Sequence, residues 1–447
     1  MSAKILNNWP VLTSREEFEF LTDLVLRHST GEHACVTLHD HHSGTVRFAN
    51  NQVIQHVDTR KMRFLVTIGF GKKHGTASTT NLTAGAVRET VQRAESLARV
   101  TPEDPEFLPP PGRQHYESWP TFRPETLEAN VLGRLQLARG AIEQCQAEQV
   151  QGAGILTSTV TVVGVAANSG LFAYEPRTEA RFSLTAQIND ASGWTAAVHR
   201  SIDKLDVVNR SLLAIGNCKR GKGSRKIPAG RYTVVLQPPA VVGLLNGMLS
   251  VLDAKSYESQ TSPFSGKLHQ PIIDTRFSLH NRPDHPDMLS CGFTREGLPV
   301  NRVTWIENGL LRQLAYDRYT AYQKGIALIP TLESPCLEGE VRDQCTLEQL
   351  IEGTERGILV TNFWYIRVVN RMDLTLTGMT RDGTFLIENG KVTAPLRNFR
   401  FHDSPIRAFQ TIKGYTEPQE ATSAESGKML VPALRIPDFY FSSVSTF

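Results

Sequence analysis

The chain has 447 residues, more than one ordinary hydrophobic core accommodates, so two or three domains are expected. Its 48 Lys and Arg against 45 Asp and Glu leave a net charge of only +3, which argues against nucleic acid or an anionic membrane as the main partner. No run of about eighteen apolar residues occurs, and the opening Met1–Pro10 lacks an apolar stretch of signal-peptide length, so a cytoplasmic, non-membrane protein is expected.

Ser14 and Glu17 form a capping box, and Phe18, Leu21 and Val25 follow at helical spacing, which predicts an amphipathic first helix. Residues 34–38, 45–48 and 62–68 are rich in β-branched and aromatic side chains and predict strands, broken by Ser43-Gly44 and by the glycines from Gly69 to Gly75. His39-Asp40-His41-His42 falls at the first break. It reads as a polar hairpin tip or, because His39 and His41 project to one side of an extended strand, as a pair able to share a metal. Val87, Val91, Ala94 and Ala98 stripe a helix over 83–98.

Pro102, Pro105 and Pro109 to Pro111 exclude helix and central strand, which predicts a boundary near residue 110. A third helix follows over Leu127 to Cys145, then a strand meander over 155–165, 180–188 and 194–198. The basic stretch from Lys219 to Lys226 predicts a flexible, solvated linker. Beyond it the chain turns strongly β, and two Ile-Glu-Asn-Gly copies (Ile306 to Gly309 and Ile387 to Gly390) predict two hairpins, because Asn-Gly supplies the positive φ angles of a type I′ turn. The expected class is α+β: mixed sheet-and-helix N-terminal domains over 1–110 and 111–225, then a β-rich, barrel-like domain over 226–447.

Recognisable catalytic devices are scarce. No nucleophile elbow, phosphate loop or dinucleotide fingerprint occurs. Cys35, Cys145, Cys218, Cys291, Cys336 and Cys345 form no C-x-x-C pair, which fits reduced structural thiols. His280 and His285, around Pro283 with Asp284 and Asp287, predict a solvated loop rather than a metal site. The strand Tyr232 to Leu236 runs through Gln237-Pro238-Pro239 into an apolar helix reaching Leu252.

Residues 357–367 (GILVTNFWYIR) lead into 378–390 (GMTRDGTFLIENG). Together with 48–55 (FANNQVIQ), 64–71 (FLVTIGFG), 75–82 (GTASTTNL), 296–302 (EGLPVNR) and 305–312 (WIENGLLR), in this order, they resemble the TldD/PmbA metallopeptidase family along nearly the whole chain. Catalytic members of that family carry an H-E-x-x-x-H zinc helix, and no His-Glu dipeptide exists here. Aligned on the proline turn, Asn246 and Gly247 stand where His-Glu belongs and Val251 where the second histidine does. The resemblance is therefore to the zinc-less TldE (PmbA) type. It implies no catalytic residue and no metal in this chain, a zinc-bearing TldD-type paralogue as partner, and peptide substrates enclosed between the two. Such complexes are associated with leader-peptide removal, degradation of unfolded antitoxin-like proteins and gyrase modulation. Trp364, Tyr365 and Arg367 would be peptide contacts, unless Phe363 and Tyr365 alternate into the core with Trp364 opposite. Arg381-Asp382-Gly383 predicts a turn with a local ion pair. A homodimer in the partner's absence, a self-sufficient hydrolase at His39 to His42, and an adaptor without peptidase activity are the competing readings.

Overall fold

The computed structural model describes residues 12–329 and 332–445; Met1–Pro10, on which the signal-peptide reading rests, lies outside the described residues. Helix α1 (Arg15–His28) starts at Ser14, whose Oγ accepts from the Glu17 N–H at 3.1 Å. Strands β1 (His33–Ala49), β2 (Gln52–Phe70) and β3 (Lys73–Thr79) and helix α2 (Ala84–Val100) follow. After an extended crossing come α3 (Pro124–Leu127), α4 (Val131–Ala147), β4 (Gln151–Ala167), β5 (Phe172–Ile188), β6 (Ala191–His199) and α5 (Val207–Arg220).

The six strands form one antiparallel sheet in the order β3-β2-β1-β4-β5-β6. Strict alternation along β1 explains its burial: Ala34, Val36, Leu38, Val46 and Phe48 face the helices, with α1 and α2 over one half of the sheet and α4 and α5 over the other. The strands before and after the prolines belong to the same sheet, β1 pairing with β4 from Cys35 to Phe48. The proline stretch is an extended crossing. His74 stacks on Phe107 at 4.5 Å, Tyr116 Oη donates to the Gly297 carbonyl at 2.7 Å and Trp119 Nε1 to that of Val300 at 3.1 Å.

Two predicted features change here. Ser43-Gly44 does not break a strand: both residues lie inside β1, and the hairpin turn is made by Asn50 and Asn51, at φ 50° and 59°. His39 to His42 are consequently mid-sheet residues. Asp40 and His42 are buried beneath the helices, while His39 and His41 lie on the opposite face.

The second half holds β7 (Gly230–Leu236), α6 (Pro238–Leu249), α7 (Ala254–Glu258), β8 (Phe277–Asn281), β9 (Val303–Glu307), β10 (Leu310–Leu311), α8 (Arg318–Lys324), β11 (Pro335–Gly339) and α9 (Leu347–Glu352). It continues through β12 (Arg356–Asn370), β13 (Thr375–Glu388), β14 (Lys391–Pro395), β15 (Phe399–Asp403), α10 (Pro405–Gln410), β16 (Gly414–Tyr415), β17 (Gln419–Ala421), β18 (Met429–Val431) and β19 (Leu434–Val444). One sheet runs β10-β9-β8-β11-β18-β17; the other runs β12-β7-β19-β15-β13-β14, and the pairing of β12 with β13 closes it into a barrel. The class is α+β, as expected. Both Asn-Gly hairpins form, with Asn308 and Gly309 at φ 48° and 77° and Asn389 and Gly390 at 50° and 74°. The basic stretch after α5 is pinned rather than loose. Arg225 donates its N–H to the Pro395 carbonyl and accepts from Arg397, and the Arg220 guanidinium stands 5.2 Å over the Phe385 ring. Among the described residues no helix is long and apolar enough to cross a membrane.

Candidate functional site

The passage from β7 to α6 is built from the inside of the barrel. Val234, Val235 and Leu236 are fully buried, and Pro238 and Pro239 open α6 where no backbone donor is needed. Gly243 and Gly247, one turn apart, let the helix lie against the β12–β13 pair. A methyl group at Gly243 would stand 2.8 Å from Ile366 Cδ1, and one at Gly247 2.7 Å from Leu376 Cδ1. That approach leaves a cleft of about 160 Å³ bordered by Asn246, Gly247, Ser250, Ile366, Ser423 and Glu425.

Asn246 is exposed beside this cleft and Gly247 lines it, but Val251 is elsewhere: α6 ends at Leu249, and Val251 is buried with its carbonyl accepting from Ser262 Oγ at 2.8 Å. The structure brings together the first two positions and not the third. These residues do not fit a zinc ion, because an amide is a poor ligand, glycine has no side chain and valine offers no donor atom. Among the described residues no cluster of three His, Cys, Asp or Glu side chains is placed to hold a metal.

Trp364, Tyr365 and Arg367 flank the same cleft through Ile366. Arg367 pairs with Glu425 at 3.1 Å and lies 4.1 Å over the Tyr365 ring; Arg381 lies 4.4 Å over Trp364; the two aromatic rings are 5.6 Å apart. The expected alternation of Phe363 and Tyr365 into the core is corrected at the second residue. Phe363 is buried against Phe401 and Phe439 at 4.6 and 5.8 Å. The pairing register of β12 then shifts between Trp364 and Arg367, Tyr365 takes φ 56°, and its ring is left 49% exposed. Simple alternation carries no signal for such a bulge.

Arg381-Asp382-Gly383 keeps its local ion pair, at 3.6 Å, yet it is a bulge inside β13 rather than a turn, with Asp382 and Gly383 at φ 60° and 143°. Asp382 is buried and accepts from Ser192 Oγ of β6 at 2.7 Å. Burial raises its pKa above the ordinary carboxylate value, against the opposing pull of Ser192 and Arg381.

Of the other candidates, His39 and His41 do come close, with ring centroids 6.0 Å apart, and His41 Nδ1 is 3.0 Å from Thr161 Oγ1. Burial lowers the pKa of both. His280 is not in a loop: it lies in β8, opposite Cys336 of β11, and contacts Glu338 at 3.2 Å. Asp284 is taken up by Arg282 and Arg302 at 3.2 and 2.9 Å. A junction that sequence reasoning missed joins β6 and α5 to the second half: His199 meets Asp287 at 3.4 Å, and Glu420 receives Arg210 at 2.7 Å and the buried Lys428 at 2.5 Å. Burial lowers the Lys428 pKa, opposed by Glu420. These residues are so far apart in the chain that no spacing could have signalled the cluster.

The family model for the PmbA/TldA metallopeptidase C-terminal domain matches residues 229–443, and that for PmbA/TldA metallopeptidase domain 1 matches residues 36–98. The chain is 23% identical over 409 residues, 86% of each protein, to the Metalloprotease PmbA homolog of Haemophilus influenzae. Its fold is similar to that of TldE from Thermococcus kodakarensis, with a TM-score of 0.84 at 17% identity over 96% of this chain and 100% of the other. It is also similar to a proposed modulator of a DNA gyrase from Thermotoga maritima, with a TM-score of 0.85 at 19% identity over 96% of this chain and 99% of that one. At such identities the structural likeness speaks for a common fold.

Proposed function

The chain belongs to the PmbA/TldD metallopeptidase family, and from that premise we propose that it is a zinc-less, TldE-type subunit that completes the chamber of a two-subunit peptidase. Hydrolysis of unfolded or short peptides is assigned to a zinc-bearing TldD-type paralogue. The observation that carries this reading is α6: where the family's metal helix would supply histidines and a glutamate, Asn246 and Gly247 border the cleft and Val251 is buried, so the helix offers neither ligand nor base, and the one carboxylate at the cleft among the described residues, Glu425, is paired with Arg367. The exposed Tyr365 and the Arg367 guanidinium beside that cleft suit this subunit to holding a peptide rather than cutting it. Six cysteines without a disulfide fit a reducing, cytoplasmic setting.

Elemental mass spectrometry of the protein purified alone without chelator, together with hydrolysis of an unfolded peptide with and without a zinc-bearing relative, tests the assignment. Zinc near zero, and cleavage only in the mixture, is expected. About one zinc per chain with cleavage by the isolated protein would overturn it and make His39 and His41 the first residues to substitute.

A further inference from the structure

Strand β2 has 19 residues, whereas its outer neighbour β3 has 7 and pairs only with Phe64 to Phe70. From Gln52 to Arg63 the outer edge of β2 meets no strand among the described residues, and Gln52 to Lys61 are all exposed, including Val53, Ile54 and Val57. Twelve extended residues at about 3.3 Å each make roughly 40 Å of edge whose outward N–H and C=O groups lack a partner strand.

The chemistry along this edge is one-sided. A cleft of about 790 Å³ opens where β3 ends, lined by His39, His41, Lys61, Arg63, Thr79 and Arg93. Lys61 and Arg63 lie beside His41 and His39 in the β1 register, so all four share the face away from the helices. On the other face of β2, Arg60 is paired with Asp40 at 2.6 Å and Asp58 with Arg134 at 2.5 Å, so the charge there is spent. Among the described residues no carboxylate lies within ion-pair distance of Lys61 or Arg63.

We propose that the uncovered edge of β2 is a docking site for an extended segment of another polypeptide that carries carboxylates on alternate residues, entering the lane that β3 vacates. Main-chain hydrogen bonds to β2 supply affinity tolerant of sequence, and the side chains on one face of the added strand meet Lys61 and Arg63. Those on the other face need no charge. The edge does not select the chain's own residues 1–11, which contain no Asp or Glu. Nor does it select the same edge of a second copy, because that edge offers Lys61 and Arg63 no free carboxylate: its one acidic residue, Asp58, is already held by Arg134. The site lies on a different sheet from the α6 cleft, so it stands or falls separately from the subunit assignment.

Fluorescence anisotropy with the full-length protein tests this, using three labelled synthetic peptides: Glu alternating with Thr, Lys alternating with Thr, and the Glu-Thr peptide methylated on alternate backbone nitrogens. Only the first is expected to bind, its affinity falling about tenfold or more when ionic strength rises from about 0.05 to about 0.5 M. The variant Lys61→Glu with Arg63→Glu is expected to reverse the preference and capture the Lys-Thr peptide, a gain that a misfolded variant would not produce. Equal binding of the methylated peptide would refute strand addition. Unchanged affinity in the charge-reversed variant, or no binding of any peptide, would remove the site. A dimer in sedimentation that Ile54→Lys dissociates would give the edge to a second copy and overturn the proposal.

Discussion

A methyl group added to Gly44 would fall 2.1 Å from Arg134 Cζ, in space already taken by the guanidinium. Arg134 is 1% exposed and is held by Asp58 at 2.5 Å, the Ala129 carbonyl at 2.6 Å and Ser158 Oγ at 3.2 Å. The glycine is there to admit a buried cation, which is why a reading of Ser43-Gly44 as turn residues fails. Gly44→Ala is expected to destabilise by about 1–3 kcal/mol through overpacking. Arg134→Ala should cost about 3 kcal/mol, since Asp58 then loses its partner but is partly solvated. Urea titrations of both single variants and the double should show the double costing less than the sum, because one substitution makes room for the other.

In β12 the two faces of one strand part company within three residues. Phe363 belongs to the barrel interior with Phe401 and Phe439, whereas Tyr365, past the bulge, leans on Arg367 at the surface. Phe363→Ala is expected to cost about 3–5 kcal/mol, as for a fully buried aromatic. Tyr365→Ala should change stability by no more than about 0.5 kcal/mol, and Tyr365→Gly is relieved of the positive φ angle that an L side chain resists. Thermal melts of the three variants separate these outcomes; a large loss in Tyr365→Ala would restore the ring to the core. β-propensity and alternation were enough to place this strand and the inward-facing Phe363. They could not place the bulge, which is set by pairing with β13.

The two halves of the molecule are joined by polar contacts between distant segments: Ser192 with Asp382, Arg210 with Glu420, Arg225 with Pro395 and Tyr116 with Gly297. Asp382 makes this junction sensitive to pH. Its folded-state pKa is raised by burial, so its contribution to stability is full below the unfolded value near 4 and is lost as pH rises through the folded value. Asp382→Asn can still accept from Ser192 and has no charge to bury. Its stability relative to the unsubstituted protein is expected to be unchanged below about pH 4 and to improve as pH rises towards neutrality, read by denaturant midpoints across that range. A variant that gains nothing at neutral pH would mean that Arg381 fully compensates the buried charge.

Local chemistry was sufficient for the elements whose cause is local. The Ser14 cap, the apolar stripe of α2, the two Asn-Gly hairpins and the proline-opened α6 each follow from residues within one or two turns of each other, and the family signature was legible in the order of its motifs. The absence of His-Glu also stands in the chain itself. Only the tertiary structure decided that the prolines cross a continuous sheet, that His39 to His42 lie mid-strand, that Val251 leaves the cleft while Asn246 and Gly247 stay, and that β3 ends short of β2. Each of those outcomes depends on which strand or helix lies alongside, a long-range pairing that no window of neighbouring residues encodes.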